Sequence, residues 1–186
     1  MTKSIRLSLD AMGGDNAPYI IVDGAAQTKI RHPYVKFSFF GNKIKLLPLI
    51  NSSEVLKESE IVHTDEFVDA NEKPSIAVRK GRNSSMGMAI QSVKSGKSDA
   101  IVSAGNTGAL MAMAKLFLRP IEGINRPAIA AYFPTITGES CMLDLGANID
   151  CDAKNLVQFA FMGQAFANIV MGVDNPSISL LNIGEE

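Results

Sequence analysis

The sequence predicts an α/β protein with a doubly wound, mostly parallel sheet and helices on both of its faces. Three observations carry that prediction. Short apolar runs alternate with helix-period segments along the chain. Gly-, Asn- and Asp-rich turns follow Leu9, Phe40, Val102, Leu145 and Ile183, where strands would end. One of these turns, Ser103-Ala-Gly-Asn-Thr-Gly108, runs straight into a long apolar helix pattern. Open α/β sheets bind ligands outside the carboxyl ends of their strands, so these turns are the candidate site.

The elements read in order as follows. Ile5–Leu9 is a strand ending at Asp10-Ala-Met-Gly-Gly-Asp15. Asn16–Ile30 reads as a helix, with Pro18 tolerated in its first turn. Tyr34–Phe40 is a strand and Lys43–Ile50 a short helix, and Glu60–His63 is a short strand. Asn83–Ser95 places Met86, Ile90 and Val93 at amphipathic helix spacing. Ala100–Val102 is a strand, and Thr107–Leu118 is a helix apolar nearly all round, expected to be buried or at an interface until Pro120 stops it. Ala128–Phe133 and Cys141–Leu145 are strands around a turn at Pro134–Gly138 and form a hairpin. Asp152–Met171 is a long helix, and Ile178–Gly184 is a further strand entering a glycine turn. A strand followed by Glu185-Glu186, where a helix is due, suggests an N-terminal fragment: a single α/β domain over 1–186, incomplete at its C-terminus.

Composition excludes several classes. The 186 residues are 46% hydrophobic and 20% charged with a net charge of -1, an ordinary globular balance with no basic field for nucleic acid. Cys141 and Cys151 fit no zinc spacing and read as a reduced, cytosolic pair. The N-terminal residues lack the apolar core of a signal peptide, and the uncharged stretch Ala100–Ala114 is too short to span a bilayer.

Ser103–Gly108 is the strongest site candidate. Glycines let the backbone approach a ligand and the first N–H groups of a helix point at it, so phosphate or a carboxylate is the expected ligand. Gly105 and Gly108 supply the freedom, and Ser103, Asn106 and Thr107 add polar side chains. Ser103 lacks a G-x-S-x-G context, and His32 and His63 stand away from the turns, so a serine triad is disfavoured. Asp10–Asp15 is equally a site, with Asp10 facing the crevice beside Gly13 and Gly14, or a tight turn in which Asp15 caps the next helix. Neither dinucleotide nor P-loop spacing is present. Lys73, Arg79, Lys80 and Arg82 form a basic run, read as a solvated helix face or as a docking patch for an acidic partner. In Asp144–Asp152, Asp144, Asn148, Asp150 and Asp152 have the chemistry for a divalent cation, but capping of the long helix by Asp150 or Asp152 is preferred, with Asp144 and Asn148 in the crevice.

Together, Leu9-Asp-Ala-Met-Gly-Gly-Asp-Asn-Ala-Pro18, Ser103-Ala-Gly-Asn-Thr-Gly-Ala-Leu-Met-Ala112, Arg126-Pro-Ala-Ile-Ala130, Leu143-Asp-Leu-Gly-Ala-Asn148 and Leu181-Asn-Ile-Gly-Glu-Glu186 resemble the PlsX family of phosphate acyltransferases in bacterial phospholipid synthesis. The resemblance covers essentially the whole chain. It implies a fold akin to phosphotransacetylases and isopropylmalate dehydrogenases. It implies long-chain acyl transfer from acyl carrier protein to orthophosphate, giving acyl phosphate with no metal or redox cofactor. It also implies a cytoplasmic homodimer with peripheral membrane contact. On this resemblance the 103–108 turn holds orthophosphate for direct attack on the thioester, with Arg126 offsetting its charge. Turn N–H groups or Asn148, beside Asp144, stabilise the oxyanion. An acyl-Ser103 intermediate is the competing mechanism. Competing functions are a short-chain phosphotransacetylase using coenzyme A thioesters and a non-catalytic phosphate-binding or dimerising segment.

Overall fold

The computed structural model describes residues 4–136 and 138–182, which fall into two compact units, Met1–Arg119 and Pro120–Glu186. The first holds a four-stranded, wholly parallel sheet of β1 (Ile5–Asp10), β2 (Val35–Gly41), β3 (Glu60–His63) and β4 (Ala100–Val102), in the order β3-β2-β1-β4. Its helices are α1 (Tyr19–Arg31), α2 (Lys43–Ser52), α3 (Pro74–Lys80), α4 (Ser85–Lys94) and α5 (Thr107–Leu118).

Alternation along β1 sorts the two faces. Leu7 and Leu9 join Phe37 and Phe39 of β2 in a cluster with Val22 and Ala25 of α1 and Leu46 and Ile50 of α2. Phe39 is fully buried there, a burial worth about 1.5–3 kcal/mol. Ser8 and Asp10 point the other way, under α4, and Ser85 of α4 bonds to Asp10. A second cluster joins Ala77 of α3, Met86 and Ile90 of α4, and Ala109 and Met113 of α5. Helices therefore cover both faces, as the alternating pattern predicts.

The strand order fixes where a ligand can sit. The chain winds outward from β1 to β2 to β3, then crosses back to pair β4 on the far side of β1. The gap between the carboxyl ends of β1 and β4 is the topological switch point, the usual ligand crevice of such sheets. The turns after Asp10 and after Val102 both open there.

The second unit holds an antiparallel hairpin, β5 (Ala131–Thr135) and β6 (Gly138–Met142), and the helix α6 (Ala153–Phe166), continued by a π-helical turn over Ala167–Met171. The hairpin forms as expected, shifted in register. Pro134 and Gly138, expected in the turn, lie inside the strands, and the Thr135–Gly138 pair closes it. Asp152 caps α6 through a reciprocal capping box with Asn155.

Two expectations are corrected, and one stands in part. Asp15 does not cap α1, which starts at Tyr19 behind Pro18 with no side-chain cap, and Asp15 is exposed. α5, expected to be buried or at an interface, is buried on one side: Ala109 and Met113 face α3 and α4, whereas Leu116 is 55% exposed. Residues 178–182 form no strand among the described residues, and the remainder of that expected strand, 183–184, lies outside them.

Candidate anion site

Asp10 ends β1 and is 1% exposed. Its Oδ1 accepts from Ser85 Oγ at 2.5 Å and its Oδ2 from Ser103 Oγ at 2.7 Å. Ser85 opens α4 and Ser103 follows β4, so one carboxylate ties a strand, a helix and a turn together. Such a buried charge is stable because it is hydrogen-bonded, and because it sits by the positive N-terminal end of α4. Ser85 was not foreseen as a site residue, although paired serines before an apolar helix run are a visible cap signal. Ser84 is that cap, accepting from the Gly87 N–H.

The two glycine-rich turns press backbone to backbone. A Cβ on Gly13 would lie 2.4 Å from Asp10 Oδ2 and 3.1 Å from Gly105 Cα. Gly14, at φ +100°, would put a Cβ 2.9 Å from the Ala104 carbonyl oxygen. Only glycine fits either position.

Asn106 is the N-cap of α5 and is fully engaged. Its Oδ1 accepts from the Ala109 N–H, and its Nδ2 donates to the carbonyls of Ala70 and Glu72. The Leu110 N–H bonds to the Asn106 carbonyl. The Gly105 N–H bonds to Ser103 Oγ. The N–H groups of Thr107 and Gly108, first in the helix, have no intrahelical acceptor. Those two donors, at the positive end of a twelve-residue helix, are what the turn offers an anion. Gly108 is tight against Pro74, where a Cβ would sit 3.1 Å from Pro74 Cγ, so α3 flanks the turn.

The basic run forms α3 and the 3-10 turn after it. Lys73, Arg79, Lys80 and Arg82 are all exposed, and none joins a salt bridge among the described residues.

In the second unit, Asp144 gathers donors. Oδ1 accepts from the N–H groups of Ile129 and Ala147, and Oδ2 from the N–H and side-chain amide of Asn148. Partial burial pushes its carboxyl up, but these hydrogen bonds outweigh that and hold it below the ordinary carboxylate value. The Asn148 amide also donates to the Pro127 carbonyl, so both of its N–H bonds are committed within this turn. Leu145 N–H bonds to the Ile129 carbonyl, which leaves Gly146, at φ +92°, with the unbonded N–H of the turn among the described residues. Arg126 Nη1 donates to the Asp150 carbonyl, holding its guanidinium over the same loop.

Fold and site define a class: a parallel α/β protein with two interlocked glycine-rich turns at its switch point. The chain belongs to the PlsX family, whose profile, described as fatty acid synthesis protein, matches residues 5–186. It is 50% identical over its whole length to a phosphate acyltransferase of Parvibaculum lavamentivorans and 51% identical to that of Rhodospirillum centenum. It covers 52% and 53% of those two proteins, so the chain spans about half the length of the curated relatives it matches. The EutD phosphotransacetylase of Staphylococcus aureus shares the fold, with a TM-score of 0.64 at 17% identity over 92% of this chain and 55% of that one.

Proposed function

We propose that this chain contributes the phosphate-binding part of an acyltransferase. The enzyme moves a long-chain fatty acyl group from acyl carrier protein to orthophosphate and releases acyl phosphate for phospholipid synthesis. The observation that carries the reading is the pair of interlocked glycine turns at the β1/β4 switch point, with the N–H groups of Thr107 and Gly108 left for an anion. Family membership and relatives named phosphate acyltransferase support it.

In this reading orthophosphate sits on the α5 N-terminus, bounded by the Asp10–Asp15 and Ser103–Gly108 turns. Gly13, Gly14 and Gly105 keep the floor open. Phosphate attacks the thioester carbonyl directly, and positioning supplies much of the rate. A turn N–H group stabilises the oxyanion; such a donor is typically worth about 10²–10³ in rate. Lys73, Arg79, Lys80 and Arg82 dock the acidic carrier protein by charge complementarity. The reading includes a cytoplasmic homodimer touching the membrane at its periphery. No helix among the described residues is long and apolar enough to cross a membrane.

The test is to incubate the full-length protein with long-chain acyl carrier protein and orthophosphate and trap the product with hydroxylamine. Phosphate-dependent hydroxamate supports the reading, and its absence overturns it. A parallel arm with coenzyme A thioesters identifies a short-chain phosphotransacetylase. Acyl label retained on the protein after denaturation would replace direct attack with an acyl-Ser103 intermediate.

A further inference from the structure

We propose that Ser103 acts as a proton acceptor toward orthophosphate, and that Asp10 is the positioning residue that makes it one. The inference rests on the acyl-transfer reading and deepens it. A serine hydroxyl has one proton and two lone pairs. The proton of Ser103 goes to Asp10 Oδ2, and one lone pair receives the Gly105 N–H at 3.1 Å. One lone pair is left. Ser103 is half-buried while Asp10 beneath it is 1% exposed, so a ligand at the strand ends meets the Ser103 hydroxyl and not the Asp10 carboxylate.

Asp10 is held in this role from two sides. Ser85 Oγ occupies its other oxygen, and the Gly13 backbone closes over it so tightly that a Cβ there would lie 2.4 Å from Oδ2. With its own proton directed inward, Ser103 does not donate to a bare phosphate oxygen. It accepts from a phosphate hydroxyl. The Thr107 and Gly108 N–H groups serve the unprotonated oxygens. The site therefore selects hydrogen phosphate in one orientation.

The step balances. The hydroxyl oxygen of hydrogen phosphate forms a bond to the thioester carbonyl carbon as its proton passes to Ser103 Oγ and the Ser103 proton passes to Asp10. The C–S bond then breaks, and the departing thiolate takes up that one proton. Acyl thioester and hydrogen phosphate become acyl phosphate and thiol.

The test measures kcat and the phosphate KM of the full-length protein with long-chain acyl carrier protein. Asp10→Asn keeps the size and an oxygen acceptor but not the proton affinity. Ser103→Ala removes the relay, and Ser103→Thr keeps the hydroxyl. Asp10→Asn and Ser103→Ala are each expected to lower kcat about 100-fold or more, the usual range for proton transfer. The phosphate KM stays within ~3-fold, and the double variant loses no more than either single one. Ser103→Thr recovers most of the rate. If Asp10→Asn fails to fold, the Ala/Thr comparison at Ser103 decides alone. A kcat unchanged in Ser103→Ala, or a loss confined to KM or thermal stability, overturns the inference. A wild-type protein that makes no acyl phosphate overturns the acyl-transfer reading instead.

Discussion

Asp10 and Ser103, 93 residues apart in the chain, share a hydrogen bond of 2.7 Å across the switch point of the sheet. That bond joins the ends of β1 and β4, which are neighbours only because the chain reverses its winding between β3 and β4. The site is thus a product of strand order. Its two turns are locked by Asp10 on one side and by facing glycines on the other.

Gly13→Ala tests that lock. The new methyl would meet the Asp10 carboxylate and the Gly105 backbone, neither of which can withdraw without breaking the Ser85 or Ser103 bonds. Overpacking of this kind costs about 1–3 kcal/mol. The expected outcome is a lower urea midpoint together with loss of phosphate binding by calorimetry. An unchanged midpoint would show that the two turns are not in contact.

Asn106 separates capping from loop anchoring. Asn106→Asp keeps an oxygen for the Ala109 N–H but loses both bonds to the Ala70 and Glu72 carbonyls. Asn106→Ala loses the cap as well, at a further cost of about 1 kcal/mol. Hydrogen exchange around residues 65–73 is expected to rise in both variants, and in the first turn of α5 only in Asn106→Ala.

Ser8 is the buried hydroxyl without a partner among the described residues, on the α4 face of β1. An unsatisfied buried polar group costs about 1–3 kcal/mol. Ser8→Ala leaves a void no larger than the lost oxygen and is expected to raise the urea midpoint. A fall would mean that the hydroxyl is paired in solution.

How much of this was legible in the sequence depends on range. β3, β4 and α5 stand at their expected bounds, because a short apolar run, a Gly/Asn turn and a helix period are all local signals. α3 was seen only as a basic run, since seven residues behind Pro74 give too few turns for a period to show. The turns themselves were legible, but their chemistry was not. Sequence makes Asp10 and Asn106 look like side chains offered to a ligand, whereas folding commits both to the protein's own donors and acceptors. Asn148 is the same case in the second unit.

Arg79 and Lys80 test the docking role. Both are exposed on α3 without an ion pair among the described residues, so reversing them to Glu leaves the fold intact. Each exposed pair lost with an acidic carrier is worth about 0.2–1 kcal/mol, so the double variant raises the carrier KM about 2- to 30-fold. The effect shrinks as salt rises, and the phosphate KM stays unchanged. Equal rates for wild type and variant at low salt would remove α3 as the docking surface.

Asp144 gives the acid dependence of the second unit. Its folded carboxyl is held below the ordinary 3.8, because the N–H bonds from Ile129, Asn148 and Ala147 outweigh the upward push of burial. In acid the unfolded chain therefore binds the proton first. The stabilisation is fully present above the unfolded value, and it is lost as pH falls from about 4 through the folded value. Asp144→Asn keeps an oxygen acceptor but no charge, so it weakens the turn at neutral pH and flattens this part of the acid limb. The check is amide exchange or chemical shift at Ala147 and Asn148 as pH is lowered from 6 to 2. These amides are expected to lose protection with the Asp144 titration in the wild type, and to show no such transition in Asp144→Asn. A wild-type titration at or above the ordinary carboxylate value would show that burial, not the ring of donors, governs this carboxylate.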